Sequence, residues 1–392
     1  MTQPLRILTL STLFPNATTP NFGIFVERQT AELARRPATE VTVLNPVGMP
    51  HWPLSGLWQY RALADLPEHE QWRGLNVYRP RFGLIPKVGG GSNPRRIANA
   101  LLPLIKRLHE KAPFDVIDAE FFYPDGPAAM RLAEALGIPF TIKARGADIH
   151  HWGSDPKCRL QILHAAEKAS AMLAVSEALK RDMVALGMDD DKIAVHYTGL
   201  DQDKFRPINR AKAKRTLGVD GPLLITTGAL IKRKNQDMVI RALADVPDAV
   251  LMLAGEGEEE QNYRALAKQL GVAERVRFLG SVPHDQLPQL TAAADIAILV
   301  SRSEGLANAW VEALACGTPV IISEAGGARE LVNSPVAGRI VDQNVEAIVA
   351  AIKAILTEPP EQEMVRSAVG RFSWENNGDQ LRSILGKAAR KI

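Results

Sequence analysis

Short apolar runs alternate with amphipathic stretches along almost the whole chain, and this rhythm is what most limits the folds open to it. Leu5–Leu10 reads as a buried strand, Ile24–Arg36 as a helix and Glu40–Leu44 as the next strand. Further on come the strand Val116–Ile117, the helix Pro127–Leu136, the strands Pro139–Ile142 and Ala171–Val175, and the helix Ser176–Leu186. Apolar strands set between amphipathic helices predict a parallel sheet covered on both faces. The rhythm restarts after Thr198. Strands are expected at Leu223–Thr227, Ala249–Ala254, Arg275–Phe278, Ile296–Val300 and Pro319–Ile322, and helices at Lys234–Leu243, Glu259–Leu270 and Ala309–Cys316. Between the two runs lies the polar, turn-rich connector Gly199–Pro207, where the domain boundary is placed. The expected class is α/β, with two doubly wound parallel-sheet domains, 1–198 and 199–373. The length of 392 residues agrees with two domains at roughly 100–200 residues each. Strand carboxyl ends bind ligand in such sheets, and a cleft between two of them is the default active site.

Two stretches break the rhythm. Pro46–Gly74 carries Trp52, Trp58, Trp72 and several prolines without periodicity, and is expected to be a loop elaboration. Lys87–Asn93 reads as a flexible glycine-rich loop running into a helix with Pro94 near its start.

Composition excludes several classes. An apolar fraction of 46% supports ordinary globular cores rather than disorder. Two cysteines, Cys158 and Cys316, supply neither a disulfide framework nor a cysteine zinc site, which fits a reducing cytoplasm. The start lacks the pattern of a signal peptide, and no stretch reaches the roughly 18 apolar residues of a membrane span. A net charge of +3 is too mild to imply nucleic acid.

The richest segment is Ser303–Glu330. It reads as loop, helix, strand, Gly-Gly loop and helix, with helix N-termini near Ala309 and Ala328 and Asn308 as the expected N-cap. Helix N-termini behind small residues favour anions. Glu304 lies in the loop and Glu312 eight positions on, about 12 Å along a helix at 1.5 Å per residue. That reach suits two hydroxyl-bearing parts of one extended ligand, such as a hexose and a ribose.

Ser303-Glu-Gly-Leu-Ala-Asn-Ala-Trp-Val-Glu-Ala-Leu-Ala-Cys-Gly-Thr-Pro-Val320 resembles the Glu-x7-Glu signature of the family 4 retaining glycosyltransferases, which have the GT-B fold. The resemblance implies that Glu304 contacts donor-sugar hydroxyls and that the backbone at Gly305, Leu306, Ala307 and Asn308 lines the sugar and phosphate. It also implies that Glu312 holds the ribose. Thr226-Thr-Gly-Ala-Leu-Ile-Lys-Arg-Lys-Asn-Gln-Asp237 resembles the family's glycine turn ending in a lysine that opens a helix. Lys234 then pairs with the diphosphate, supported by Arg233, and a fixed cation there stabilises the leaving group. Ala229 stands where the family often has arginine. Phe278–Val282 resembles the strand end beside the nucleobase, with the Val282 backbone as the contact. Leu253-Ala-Gly-Glu-Gly-Glu258 lacks the third glycine of a dinucleotide fingerprint.

In the first domain, the resemblance places Gly23, in Pro20–Arg28, close to the donor phosphate; a purely conformational need for glycine is the plainer reading. Asp118–Gly126 and Lys143–Asp148 look like the family's acceptor-side segments. Arg145 occupies the place of the histidine in His-Gly-x-Asp and Glu120 that of another histidine, so no histidine base carries over. Asp148 and Glu120 are the candidates for orienting the acceptor hydroxyl, against a structural role. His150, beside His151 and Trp152, reads as part of the acceptor wall rather than as a metal ligand. Asp189–Asp191 and Asp201–Asp203 read as solvated turns, and no metal or other cofactor is expected beyond the nucleotide-sugar donor.

Arg79–Lys111 is basic, with Glu110 its one acid, and Ile97, Leu101, Leu104, Ile105 and Leu108 fall at helical spacing within it. A basic amphipathic helix can lie on an anionic membrane; a crossover helix packed on the sheet with a solvated basic face fits the same pattern, and the two are compatible. The whole implies an acceptor domain at 1–198, a donor domain at 199–373, and a C-terminal helix, 374–392, crossing back to the first. It implies hexose transfer with retention to an acceptor hydroxyl by a front-face mechanism. The Arg-Gly-x-Asp and Tyr-Pro-Asp-Gly variants look like a bacterial subgroup tied to exopolysaccharide or cell-envelope polysaccharide, with a saccharide or lipid-linked acceptor. The expected place is the cytoplasm, at the inner face of its membrane. A non-catalytic nucleotide-sugar-binding partner in an assembly complex is the alternative. A nicotinamide oxidoreductase would need a glycine fingerprint after the first strand, where Ser11–Pro15 offers none.

Overall fold

In the computed structural model, residues 3–86 and 90–390 are described. Lys87, Val88 and Gly89, which fall in the expected glycine-rich loop, lie outside them. The chain divides into two compact units, Met1–Gly199 with Trp374–Ile392, and Leu200–Ser373.

Among the described residues the first unit has ten strands: β1 (Leu5–Leu10), β2 (Thr39–Leu44), β3 (Val47–Pro50), β4 (His69–Trp72), β5 (Leu75–Tyr78), β6 (Arg81–Leu84), β7 (Val116–Ala119), β8 (Phe140–Ala144), β9 (Ala171–Ala174) and β10 (Ile193–Val195). Eight of them form one sheet in the order β10-β9-β8-β7-β1-β2-β5-β4. Every pairing in it is parallel except β4 with β5. The central strands are buried on both faces, which is why Val-Ile-Asp-Ala and Phe-Thr-Ile-Lys-Ala show no alternation. Helices α1 (Ile24–Ala34), α2 (Trp58–Ala64), α3 (Asn93–Lys111) and α4 (Asp125–Leu136) come from the first half of the chain. The C-terminal helix Trp374–Ala389 closes this unit: Leu381, Leu385 and Ala388 bury against Ile7, Leu33, Val116 and Leu173.

The stretch expected to be a loop over Pro46–Gly74 contains β3, α2 and β4 instead. β3 and β6 pair in parallel, Val47 with Arg81 through Pro50 with Leu84, as a ribbon continuing β2 and β5 beyond the sheet edge. Four-residue strands joined across so long a separation leave no local periodicity to read. The apolar stripe of α3 is core: Ile97, Leu101 and Ile105 are fully buried. That corrects any reading in which this stripe meets lipid. Its basic face is exposed, with Arg95, Lys106, Arg107 and Lys111 turned outward.

The second unit has one parallel sheet of β11 (Leu223–Thr227), β12 (Val250–Ala254), β13 (Val276–Gly280), β14 (Ile296–Leu299), β15 (Val320–Ser323) and β16 (Gly338–Val341). Its order is β13-β12-β11-β14-β15-β16. The order reverses between β11 and β14, as it does between β1 and β7 in the first unit. Loops leaving the carboxyl ends of such strand pairs diverge and open a ligand crevice.

Candidate functional site

In the second unit the crevice is flanked by the loops after β11 and β14. Lys232–Lys234 form a single 3-10 turn, and Asn235 follows in the left-handed region at φ 53° before helix Gln236–Ala242 starts. Lys234 therefore precedes the helix rather than opening it. Asn235 is buried; its amide donates to Val300 O at 2.9 Å, and its Oδ1 accepts from Arg302 Nε at 3.1 Å. Arg302 N also donates to Arg233 O at 2.8 Å. These bonds lock the two loops together, and sequence reading missed Asn235 because its role depends on the partner loop.

The lock sets up a charged cluster. Lys234 Nζ lies 2.5 Å and Arg233 Nη1 3.5 Å from Glu304 Oε1. Arg233 also donates to Ser303 O at 2.5 Å. Lys234 and Glu304 are only 13% and 10% exposed, so water screens their attraction weakly. Glu304 is held from below by the Gly326–Gly327 loop. Gly327 N donates to Gly305 O at 2.8 Å. A Cβ on Gly326, at φ +48°, would stand 2.3 Å from the carbonyl oxygens of Glu304 and Gly305. Glycine is required there by close approach and by backbone conformation alike.

Gly305, Leu306 and Ala307 form the buried turn into helix Asn308–Ala315. Ala307, not Asn308, occupies the N-cap position and makes no side-chain cap. The first amides of this helix are thus left without a side-chain acceptor, the arrangement that favours an anion. Glu312 lies on the same helix. His284, from the loop after β13, places Nε2 2.7 Å from Glu312 Oε1, and its ring packs edge-on to Phe205 at 5.2 Å. His284 was not anticipated; it precedes a helix with no motif of its own. Val282 lies half-buried in the same loop. The second unit thus brings together Arg233, Lys234, Glu304, Gly305–Asn308 and Glu312, with Val282 beside His284.

In the first unit the loops after β1, β7 and β8 carry the other candidates. Gly23 caps α1 in the left-handed region at φ 71°, and a Cβ there would lie 2.4 Å from Leu13 C. Backbone conformation and close approach both call for glycine here. Glu120 is fully buried and takes hydrogen bonds from Gln29 and Arg145. Arg145 Nε also donates to Glu120 O at 3.2 Å, and its guanidinium sits 4.9 Å from the Phe25 ring centre. Asp148 is fully buried as well. It accepts from the backbone N–H groups of Phe122 at 2.8 Å, Gly146 at 2.8 Å and Arg145 at 3.0 Å. Burial holds its carboxyl above the usual range against those bonds. The oxygens of Asp148 and Glu120 hold Arg145 and its loop, which is the structural role set against orientation of an acceptor hydroxyl. His150 Nε2 lies 2.9 Å from Asp182 Oδ2 at the edge of this group.

Beneath Glu120 runs a chain that motif reading did not find. Lys143 Nζ donates to Gln29 Oε1 at 2.5 Å and to His196 Nδ1 at 2.6 Å, and His196 Nε2 faces Asn377 O at 2.9 Å. The carbonyl requires the proton on Nε2, which leaves Nδ1 as the acceptor. Burial first, then Arg145, pushes the Lys143 ammonium well below its ordinary range; burial and Lys143 do the same to His196. A lysine inside the wholly buried strand β8 was the available signal. Asp189 accepts from Asp191 N at 3.1 Å and Asp201 from Lys204 N at 3.1 Å, both as turn caps. Among the described residues no group of three or more His, Cys, Asp or Glu is arranged to hold a metal ion, and no helix is long and apolar enough to cross a membrane.

Comparison with known proteins bears on both units. The family described as Glycosyltransferase Family 4 matches residues 26–204, and that described as Glycosyl transferases group 1 matches 207–371. A putative teichuronic acid biosynthesis glycosyltransferase of Bacillus subtilis is 30% identical over 359 residues, 89% of this chain and 88% of that protein. Among solved structures, sucrose-phosphate synthase of Thermosynechococcus elongatus superposes with a TM-score of 0.81 at 20% identity, over 97% of this chain and 98% of that one. Anabaena Alr3699/HepE in complex with UDP-glucose gives 0.74 at 22% identity, over 97% and 99%.

Proposed function

The chain belongs to the family 4 (group 1) glycosyltransferases, retaining nucleotide-sugar-dependent enzymes with the GT-B fold, and from that premise we propose that it moves a hexose onto a saccharide or lipid-linked acceptor of a bacterial envelope or exported polysaccharide. The observation that carries this reading is the Lys234–Glu304–Arg233 cluster at the strand-order reversal, with Glu312 farther along the adjoining helix. Glu304 takes the sugar hydroxyls. Lys234, Arg233 and the N-terminus of helix Asn308–Ala315 take the diphosphate, where fixed positive charge favours departure of the leaving group. The Gly305–Asn308 backbone lines the sugar, Glu312 takes the ribose and the Val282 backbone the base.

Donor charge is met here by side chains and helix dipole, and the family typically works without a metal. On the acceptor side Arg145 is the group presented, Glu120 and Asp148 its positioning residues and His150 a wall residue, while Gly23 sets the start of α1 in the left-handed region. The departing phosphate takes the acceptor proton on the face it leaves, which keeps the configuration. The polysaccharide assignment is supported by the Bacillus relative and the hexosyl donor by the Anabaena complex. The test is a thermal-shift screen of UDP-, GDP-, ADP- and dTDP-sugars, then release of the nucleoside diphosphate with isoprenoid-linked saccharides. At least one donor should raise Tm and be turned over. No shift with any of the four refutes the donor site; a shift without turnover on any acceptor refutes the transfer.

A further inference from the structure

Seven large apolar side chains stand in water among the described residues of the first unit; Phe22, Leu160 and Val184 lie apart, and the other four share one place. Trp52 is 84% exposed, and Leu54, Leu57 and Ile85 are 45%, 48% and 38% exposed. The β3–β6 ribbon brings them together. Pro50 and Leu84 are register partners at its end, so Trp52 and Ile85 leave neighbouring strand ends, and the Leu54–Gly56 turn follows at once. A soluble protein of this size has no packing reason to leave a tryptophan there, whereas Trp and Leu side chains at a protruding tip suit the boundary between lipid headgroups and acyl chains.

The exposed charge of α3 is predominantly positive. Arg96 Nη1 donates to Gly83 O at 2.9 Å, which ties the first turn of α3 to β6 beside the tip. From there Arg95, Lys106, Arg107 and Lys111 lie exposed along about 24 Å of helix at 1.5 Å per residue, with Glu110 the one acid of the helix. None of the four cations has an acid partner among the described residues. The buried stripe of α3 anchors the helix to the unit, so its outer face is a rigid basic rail rather than an inserting element.

The ribbon continues β2 and β5 past their carboxyl ends, the edge that also carries Glu120 and Arg145. Gly90 is fastened to that edge: Tyr123 Oη donates to Gly90 O at 2.8 Å, and the Tyr123 and Trp152 rings lie 5.2 Å apart. We propose that the Trp52–Leu54–Leu57–Ile85 tip and the basic face of α3 together dock the protein on an anionic lipid surface, with the tip in the headgroup region and the rail on lipid phosphates. This rests on the acceptor-side reading above and adds its setting, a lipid-linked saccharide delivered at the bilayer.

Co-sedimentation with vesicles of phosphatidylcholine, alone or mixed equally with phosphatidylglycerol, tests it without donor or acceptor, so a failed donor assignment leaves this result standing. Wild-type protein should partition at least tenfold better onto the phosphatidylglycerol vesicles, and high salt should release it. A variant carrying W52S, L54S and L57S should lose at least tenfold in partition, and one carrying K106Q, R107Q and K111Q should lose its preference for phosphatidylglycerol. Both should keep the wild-type Tm, since every changed side chain is exposed. Equal binding by wild type and the W52S/L54S/L57S variant, or wild-type protein left in the supernatant, overturns the proposal. So does a wild-type dimer that this variant converts to monomer, which would make the tip a contact between two copies.

Discussion

Replacing Glu304 by glutamine separates two roles that an ordinary loss of activity would merge. At rest its carboxylate holds Lys234 at 2.5 Å in a nearly dry setting. A hydrogen bond between charged partners contributes about 1.5–3 kcal/mol. Arg233, at 3.5 Å and more than a third exposed, adds little. An incoming diphosphate must compete with that carboxylate for Lys234. Glu304→Gln keeps a carbonyl acceptor but removes the charge, which relieves about half of the interaction, about 0.8–1.5 kcal/mol. A free nucleoside diphosphate should then bind about four- to twelvefold more tightly. Transfer should fall by about a hundredfold or more, the scale seen when a polar group aimed at developing charge is lost. The two readouts move in opposite directions. Calorimetric titration with UDP and GDP measures the first, and release of nucleoside diphosphate in the presence of acceptor the second, with Tm as the folding control. Wild-type transfer would refute the role given to Glu304. Weakened diphosphate binding together with lost transfer would refute the competition argument and leave Glu304 as the residue that orders Lys234.

Two further perturbations probe the supports of the two units. Gly326→Ala should cost about 1–3 kcal/mol in urea unfolding, from left-handed strain and the 2.3 Å approach to Glu304 O, and should lower transfer; unchanged stability and activity would contradict that packing. Burial pushes the Asp125 carboxyl up to about 8, from about 3.9 in an unfolded chain. The folded state therefore keeps a proton that the unfolded chain gives up, so this group's contribution to stability falls as pH rises from about 4 to about 8 and is level above that. Asp125→Asn retains an acceptor for Thr12 N, 2.9 Å away in the wild type, and should flatten the Tm profile across that window while raising Tm near pH 8; equal slopes in the two proteins would show that Asp125 is not protonated.

The parallel sheets were legible because a strand buried on both faces is apolar at every position, and the Glu304–Glu312 spacing because a helix converts sequence distance into length. The β3–β6 ribbon was not, since each strand is four residues long and its partner is remote. Buried charge was equally hidden. Lys143 and Arg79 are both fully buried, and nothing local distinguishes them from surface bases. What makes each tolerable is a partner elsewhere in the chain: Gln29 and His196 for Lys143, Glu70 and Pro15 O for Arg79. Asp148 and Glu120 were picked out as acids at strand ends, but their occupied oxygens are a property of the loops around them. Asn235 and His284 likewise acquire meaning only through Val300, Arg302 and Glu312.

The return of the C-terminal helix to the first unit has a consequence for how the protein is made. The second unit is a continuous stretch, Leu200–Ser373, and all of it has been synthesised before Trp374 appears. The first unit, begun earlier, lacks Leu381, Leu385 and Ala388 against Ile7, Leu33, Val116 and Leu173 until the final turns of helix leave the ribosome. His196 must likewise wait for Asn377 O before its ring is tied. A chain cut before Trp374 therefore keeps the second unit whole and leaves a hydrophobic seam open on the first. The core of the first unit is therefore the last to close although its first strand is the first to be made, because the whole of the second unit is synthesised in between.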